Sequence, residues 1–121
     1  MNNLTPAHYK VEFGFGIGKD RNQRAIPGSE QVAALDFIAA EAARRFGAYT
    51  LTSTSGGWTN PAGLLVQEPG YTLMATVPAN FDCLDLHAKI FAAYIAGALR
   101  QEAVAVTVTP VWFFMQFVSE R

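Results

Sequence analysis

Nine residues near the start, Tyr9-Lys-Val-Glu-Phe-Gly-Phe-Gly-Ile17, set the terms on which this chain can fold. Side chains alternate along an extended strand, so Tyr9, Val11, Phe13, Phe15 and Ile17 share one side. Lys10, Glu12, Gly14 and Gly16 share the other. A strand with one apolar side needs a sheet packed on one face. Two glycines weaken such a strand. Either a ligand or another subunit comes close to its second side, or the strand bulges there. The pair is not a dinucleotide fingerprint, because a long loop follows it in place of a helix.

The remaining segments follow in an order that narrows the choice of sheet. Residues 18–28 are polar, end in Pro27-Gly28 and read as a loop. The charges in it, Lys19, Asp20, Arg21 and Arg24, are either solvated or reach over a site. Ser29 is expected to cap a helix whose apolar stripe is Val32, Leu35, Ile38, Ala39, Ala42 and Phe46. Arg44 and Arg45 suit its last turn, and Gly47 suits the left-handed position that closes it. Residues 48–55 read as a second strand, ended or bent by Gly56-Gly57. Asn60-Pro-Ala-Gly63 is a turn. Leu64-Leu-Val66 reads as a short strand or the return arm of a hairpin. Residues 71–77 form a third strand. Asp82 is expected to cap a second helix with Asp85 in its first turn and Leu84, Ala88, Phe91, Ile95 and Leu99 as its stripe. Residues 103–108 form a fourth strand. The apolar run 111–118 is an extra C-terminal strand that should pair with a sheet edge or a neighbouring subunit.

Strand, helix, strand, strand, helix, strand is the order of two split βαβ units. The expected fold is α+β and ferredoxin-like, an antiparallel sheet with two helices on one face. With 121 residues and no internal linker, residues 1–121 read as a single domain. The uncovered sheet face would carry the leftover aromatic and apolar residues. Only 16% of residues are charged, against about 25% in typical soluble domains. A homo-oligomer that buries apolar faces would account for the difference, and a trimer is favoured over a dimer. Net charge is −1 with no basic stripe, which argues against a nucleic-acid partner. No run reaches the ~18 apolar residues of a spanning helix and no signal peptide is visible, so no membrane partner and a cytoplasmic location are expected.

The chain is poor in catalytic signatures. It has one cysteine, Cys83, read as a small buried hydrophobe. His8 and His87 have no partner at metal-ligand spacing, so no metal is expected. No nucleophile–base arrangement and no phosphate-binding loop stands out. The polar candidates near strand ends are Glu12, Glu68 and Glu102, with Trp58, Tyr49 and Tyr71 as aromatic companions. Glu68 draws attention because Leu64-Leu-Val66 precedes it and Pro69-Gly70 follows. It sits either at a surface edge or where it is held for a purpose. Aromatics with a few carboxylates suit a flat cationic ligand such as a sulfonium nucleoside, and some other nucleotides as well.

The run Phe46-Gly-Ala-Tyr-Thr-Leu-Thr-Ser-Thr-Ser-Gly-Gly-Trp58, then Gln67-Glu68, the strand 71–77 and Arg100-Gln-Glu-Ala-Val-Ala-Val106 resembles two related groups. One is a family of small bacterial proteins with Gly-x-Trp after the second strand, an acidic residue before the third, and Gln-Glu-x-Val at the last helix-to-strand junction. The other is the bacteriophage S-adenosylmethionine lyases, similar in fold to trimeric PII-like regulators. The likeness covers roughly residues 9–108, and its motifs are short. It implies a trimer with sites between subunits, Glu68 and Glu102 as the matching acidic residues, and Trp58 in place of a tyrosine-like aromatic. The replacement removes a hydroxyl.

The activity this resemblance implies is cleavage of S-adenosylmethionine to methylthioadenosine and homoserine lactone. No cofactor is required, since the substrate carries both nucleophile and leaving group. Glu68 would orient the substrate, with Trp58, Glu102, Tyr71, Tyr49 and Glu12 around it. Two other readings stay open: a PII-like trimer that binds a nucleotide without catalysis, and a structural homo-oligomer in which Trp58 and Glu68 fix the hairpin.

Overall fold

The computed structural model describes residues 7–112 and, of Trp58, the backbone alone. Six elements follow one another: β1 (His8–Gly16), α1 (Gly28–Phe46), β2 (Thr50–Thr59), β3 (Leu65–Pro78), α2 (Leu84–Ala98) and β4 (Ala105–Val111). The sheet order is β2-β3-β1-β4, and every pairing is antiparallel. This is the expected ferredoxin-like α+β fold.

The alternation in β1 decides which face is covered. Val11, Phe13, Phe15, Leu73, Ala75 and Val77 point to one side and are buried under the two helices. Phe13 sits at the centre. Its ring lies 4.8 Å from Phe91 of α2 and 5.8 Å from Phe46 of α1, and those two rings meet edge-on at 5.4 Å. Ala34, Ile38, Ala42 and Phe46 form the buried stripe of α1, and Ala88, Phe91 and Ile95 that of α2. Alanine at the contact points lets the helices lie close to the sheet.

The other sheet face differs from expectation. By register it carries Lys10, Glu12, Thr72, Met74, Thr76, Thr50, Thr52, Thr54, Thr107 and Thr109, so threonine dominates it. Threonine tolerates a half-buried pleated surface without a second layer. Exposed apolar side chains lie instead on the helices, at Phe37, Leu86, Ile90 and Val32, the last expected in the buried stripe of α1, and at Leu64, Leu65, Val106 and Val108 of the hairpin and β4.

Several local expectations are corrected. Pro27, not Ser29, occupies the N-cap of α1, whose first residue is Gly28, and no side chain caps it. The fixed φ of proline already directs the chain into the helix. Asp82 does not cap α2. Cys83 takes that place in a left-handed conformation (φ 53°), and the Asp82 carboxylate accepts from its thiol at 3.5 Å. Cys83 is therefore exposed, not buried. Asp82 also pushes the thiol's pKa up, the hydrogen bond being the first cause, which disfavours the reactive thiolate. Gly47 does close α1 with φ 90°, its amide donating to the Ala43 carbonyl at 2.9 Å.

The strands also run further than their sequence signals. β2 continues through Gly56-Gly57 to Thr59, and β3 starts at Leu65 and passes through Pro69 and Gly70. Pro69 is tolerated because β1 has ended there: its pairing with β3 stops at Gly16 opposite Gly70. The fourth strand begins at Ala105 and contains Pro110, which an edge strand allows. His8 opens β1. The expected extra strand begins at Val111, the last residue of β4. Residues 113–121 lie outside the described part of the chain.

Gly70 is the most closely approached of the glycines. A Cβ there would lie 2.6 Å from the Phe15 carbonyl oxygen, which is backbone and cannot turn aside. Gly70→Ala should cost about 1–3 kcal/mol in urea unfolding. At Gly56 a Cβ would meet nothing within 4 Å, and Gly56→Ala should stay within about 0.5 kcal/mol of wild type. Equal stability of the two variants would contradict the close approach.

Candidate functional site

A cleft of about 310 Å³ opens at the end of the sheet where β1 stops. Three segments build it, and the strand order brings them together. The first half of β3 passes on one side of β1. The turn between α2 and β4 passes on the other. The loop leaving β1, residues 18–24, emerges between them. Gly16, Gly18, Lys19, Arg21, Glu68, Gln101 and Glu102 are among the residues that line the cleft.

The loop is held by its own polar groups. Asp20 is buried at 6% exposure, and its Oδ1 accepts from the Asn22 amide at 2.9 Å and the Arg24 amide at 3.0 Å. Arg100 Nε approaches its other oxygen at 3.6 Å. The hydrogen bond from the Arg24 amide is the first cause that draws the Asp20 carboxyl below its ordinary pKa. Burial acts in the opposite sense, while the Asn22 amide and Arg100 add to the lowering.

The turn before β4 supplies the other half of the clasp. The Arg21 amide donates to the Arg100 carbonyl at 2.8 Å. Gln101 Nε2 donates to the carbonyls of Lys19 and Leu99, both at 2.9 Å. Arg100 adopts a positive φ of 50° at this junction and reaches back to Glu30 of α1 at 3.0 Å. One short turn thus positions the loop over the cleft. It also explains Gly16: a Cβ there would come within 3.3 Å of Gln101 Oε1. The close neighbour expected for the β1 glycines is, at Gly16, a side chain of the same chain.

The sequence candidates separate in space. Glu68 and Glu102 both line the cleft. Trp58 is paired through its backbone with Val66, a residue of the cleft wall. The Tyr71 ring stacks on Phe15 with centroids 6.4 Å apart and is half-buried outside the lining. Tyr49 precedes β2 and is 40% exposed, away from the cleft. Glu12 lies mid-strand on the uncovered face, 3.6 Å from Lys10. Gln101, Asp20 and Arg21 were not among the candidates. Gln101 has a sequence trace in the Gln-Glu-x-Val junction, and Asp20 and Arg21 lie in the charged loop. Their meeting with Glu68 depends on strand order, which local composition does not carry. Among the described residues, no group of three or more His, Cys, Asp or Glu stands together as a metal site, and no helix is long and apolar enough to cross a membrane.

The clasp can be tested directly. Gln101→Ala removes two hydrogen bonds of about 1 kcal/mol each. Amide exchange at residues 18–24 should accelerate about tenfold while the α2 core amides stay protected; uniform acceleration would mean global destabilisation instead. Acid should act on the same loop. The folded pKa of Asp20 is depressed, so its contribution is present above the ordinary carboxylate value and lost as pH falls through the folded value. Exchange corrected for intrinsic rate should rise in this loop below about pH 4, and Asp20→Ala should show raised exchange already at pH 7. A loop indifferent to both would exclude Asp20 as its anchor.

No protein-family model matches the chain, and no curated protein matches it. Solved structures do. A phage SAM lyase in complex with S-methyl-5'-thioadenosine superposes with a TM-score of 0.59 at 16% identity, covering 91% of this chain and 86% of that one. A phage SAM lyase in the apo state gives 0.58 at 17% identity, over 90% and 85%. CutA from Synechococcus elongatus gives 0.54 at 7% identity, over 89% and 80%. At these identities the likeness is one of fold, and the chain shares its ferredoxin-like fold with phage SAM lyase and with CutA.

Proposed function

We propose that the protein is an S-adenosylmethionine lyase that cleaves its substrate to methylthioadenosine and homoserine lactone. The observation that carries this reading is the meeting of Glu68 and Glu102 at one cleft in the fold of a phage SAM lyase. Those are the two acidic residues that the sequence resemblance singles out.

The chemistry asks little of the protein. One oxygen of the substrate's carboxylate attacks its own Cγ. The new C–O bond forms as the Cγ–S bond breaks, and the bonding pair stays on sulfur. The sulfonium becomes a neutral thioether and the carboxylate becomes the lactone. No proton, electron or co-reactant enters. The protein's part is to fold the flexible arm into the attacking shape and keep competing water out, an effect worth up to ~7–11 kcal/mol in the best cases. A carboxylate set against the sulfonium would hold the ground state and lose that attraction as the charge disappears. Glu68 is therefore assigned to the substrate's amino group, ribose hydroxyls or a bound water, and Glu102 to binding. Trp58 is the proposed aromatic contact, while Tyr71, stacked on Phe15, lies outside the lining, and Tyr49 and Glu12 lie further out.

The cleft of one protomer, about 310 Å³, is at the low end of the ~300–1,000 Å³ of small-molecule sites. A homo-oligomer, by our reading a trimer, in which a neighbouring subunit completes the site is part of this proposal. The same cleft admits a second reading, a PII-like trimer that binds a nucleotide without turning it over.

Incubation with S-adenosylmethionine, followed by chromatography and mass detection of methylthioadenosine and homoserine species, separates these readings. Wild type should convert the substrate, and Glu68→Gln should lose about a hundredfold or more in rate with the oligomer intact. Saturable binding without conversion would move the protein to the binding class. Loss of the oligomer in Glu68→Gln would make Glu68 structural.

A further inference from the structure

Four charged residues line the cleft: Lys19 and Arg21 from the loop, Glu68 from β3 and Glu102 from the turn before β4. Among the described residues, none of the four has an ion-pair partner. The other charges around this turn are paired: Asp20 with Arg100, and Arg100 with Glu30. All four are exposed, and two residues of each sign thus belong to the lining of one small cleft without pairing with each other. A ligand complementary to that lining carries both signs, as the α-amino acid end of a substrate does.

Resting on the lyase reading of this cleft, we infer that Arg21 is a specificity-determining residue that grips the substrate's carboxylate. Of the two cations, Arg21 is the better placed. Its amide is fixed to the Arg100 carbonyl at 2.8 Å, and its neighbour Asp20 anchors the loop from inside. A guanidinium also matches a carboxylate better than an ammonium does. Lys19, held through its carbonyl by Gln101, adds a second positive charge. Glu68 and Glu102 flank the loop on either side and provide the anionic counterpart for the ammonium group.

This assignment has a kinetic signature. The carboxylate is charged in the substrate and becomes a neutral ester in the product. A cation that holds it binds the ground state more tightly than the transition state. Arg21 thus raises affinity and discriminates against analogues without a carboxylate, but it does not accelerate the chemical step. Losing it should raise KM without lowering kcat.

The test uses the full chain with three compounds: S-adenosylmethionine, its decarboxylated analogue and methylthioadenosine. In Arg21→Gln, KM for S-adenosylmethionine should rise about ten- to a hundredfold, as expected for a lost charged hydrogen bond, with kcat unchanged or higher. Affinity for methylthioadenosine, measured by calorimetry, should stay within about twofold of wild type. Wild type should bind the decarboxylated analogue about as weakly as the variant does. Lys19→Gln combined with Arg21→Gln covers the case in which one cation substitutes for the other. If wild type turns over S-adenosylmethionine and the double variant is indistinguishable from it, this inference fails and the lyase reading stands. Equal loss of methylthioadenosine affinity also overturns it, since the loop would then serve the whole site. A wild type that neither binds nor cleaves S-adenosylmethionine overturns both.

Discussion

The packing of Phe13, Phe46 and Phe91 joins the sheet to both helices, and the geometry of the rest follows from it. Each ring comes from a different element, β1, α1 and α2, and all three are buried. Burial of aromatic side chains is the largest local contribution to stability that such a layer can make. With both helices anchored to β1, that strand becomes central, and β3 and β4 pair on either side of it. The uncovered face then displays mainly polar residues, with threonine the commonest.

A central β1 also decides where a site can form. The strand ends at Gly16, while β3 extends five residues of ribbon with β2 beyond the last β1 pairing, from Pro69 back to Leu65, at the same end. The chain leaving β1 must therefore pass between β3 and the start of β4. Asp20 folds that loop upon itself, and Arg100 and Gln101 fasten it to the turn ahead of β4. Both devices use backbone carbonyls and amides as partners, which leaves the side chains of Lys19, Arg21, Glu68 and Glu102 without ionic partners among the described residues. Polar groups that build the cleft are thus separate from those proposed to bind within it.

Most of the architecture was legible in the sequence because its signals are periodic. Alternation marked β1 and β3, and the helical stripes found Ile38, Ala42 and Phe46 in α1 and Ala88, Phe91 and Ile95 in α2. The character of the uncovered sheet face was misread, and the other errors fell at the ends of elements, where single residues compete. Pro27 displaced Ser29 as the N-cap, and Cys83 displaced Asp82. The strand signals stopped at Gly56-Gly57 and at Pro69-Gly70, yet the hairpin continues through both, because pairing between two arms tolerates residues that a central strand would not.

For the candidate site, the chain by itself determined the chemical inventory: a few carboxylates, aromatic companions, a charged loop, and the short junction Gln101-Glu102. Those are properties of residue type and near neighbours. Tertiary structure alone decided which of them meet. Glu68 and Glu102 are 34 positions apart and share a cleft because β3 and β4 flank the same strand. Glu12 lies within that strand, four residues before its end at Gly16, and so stays out of the cleft. Proximity across a sheet is set by strand order and register, and these emerge only when the apolar faces of distant segments pack together.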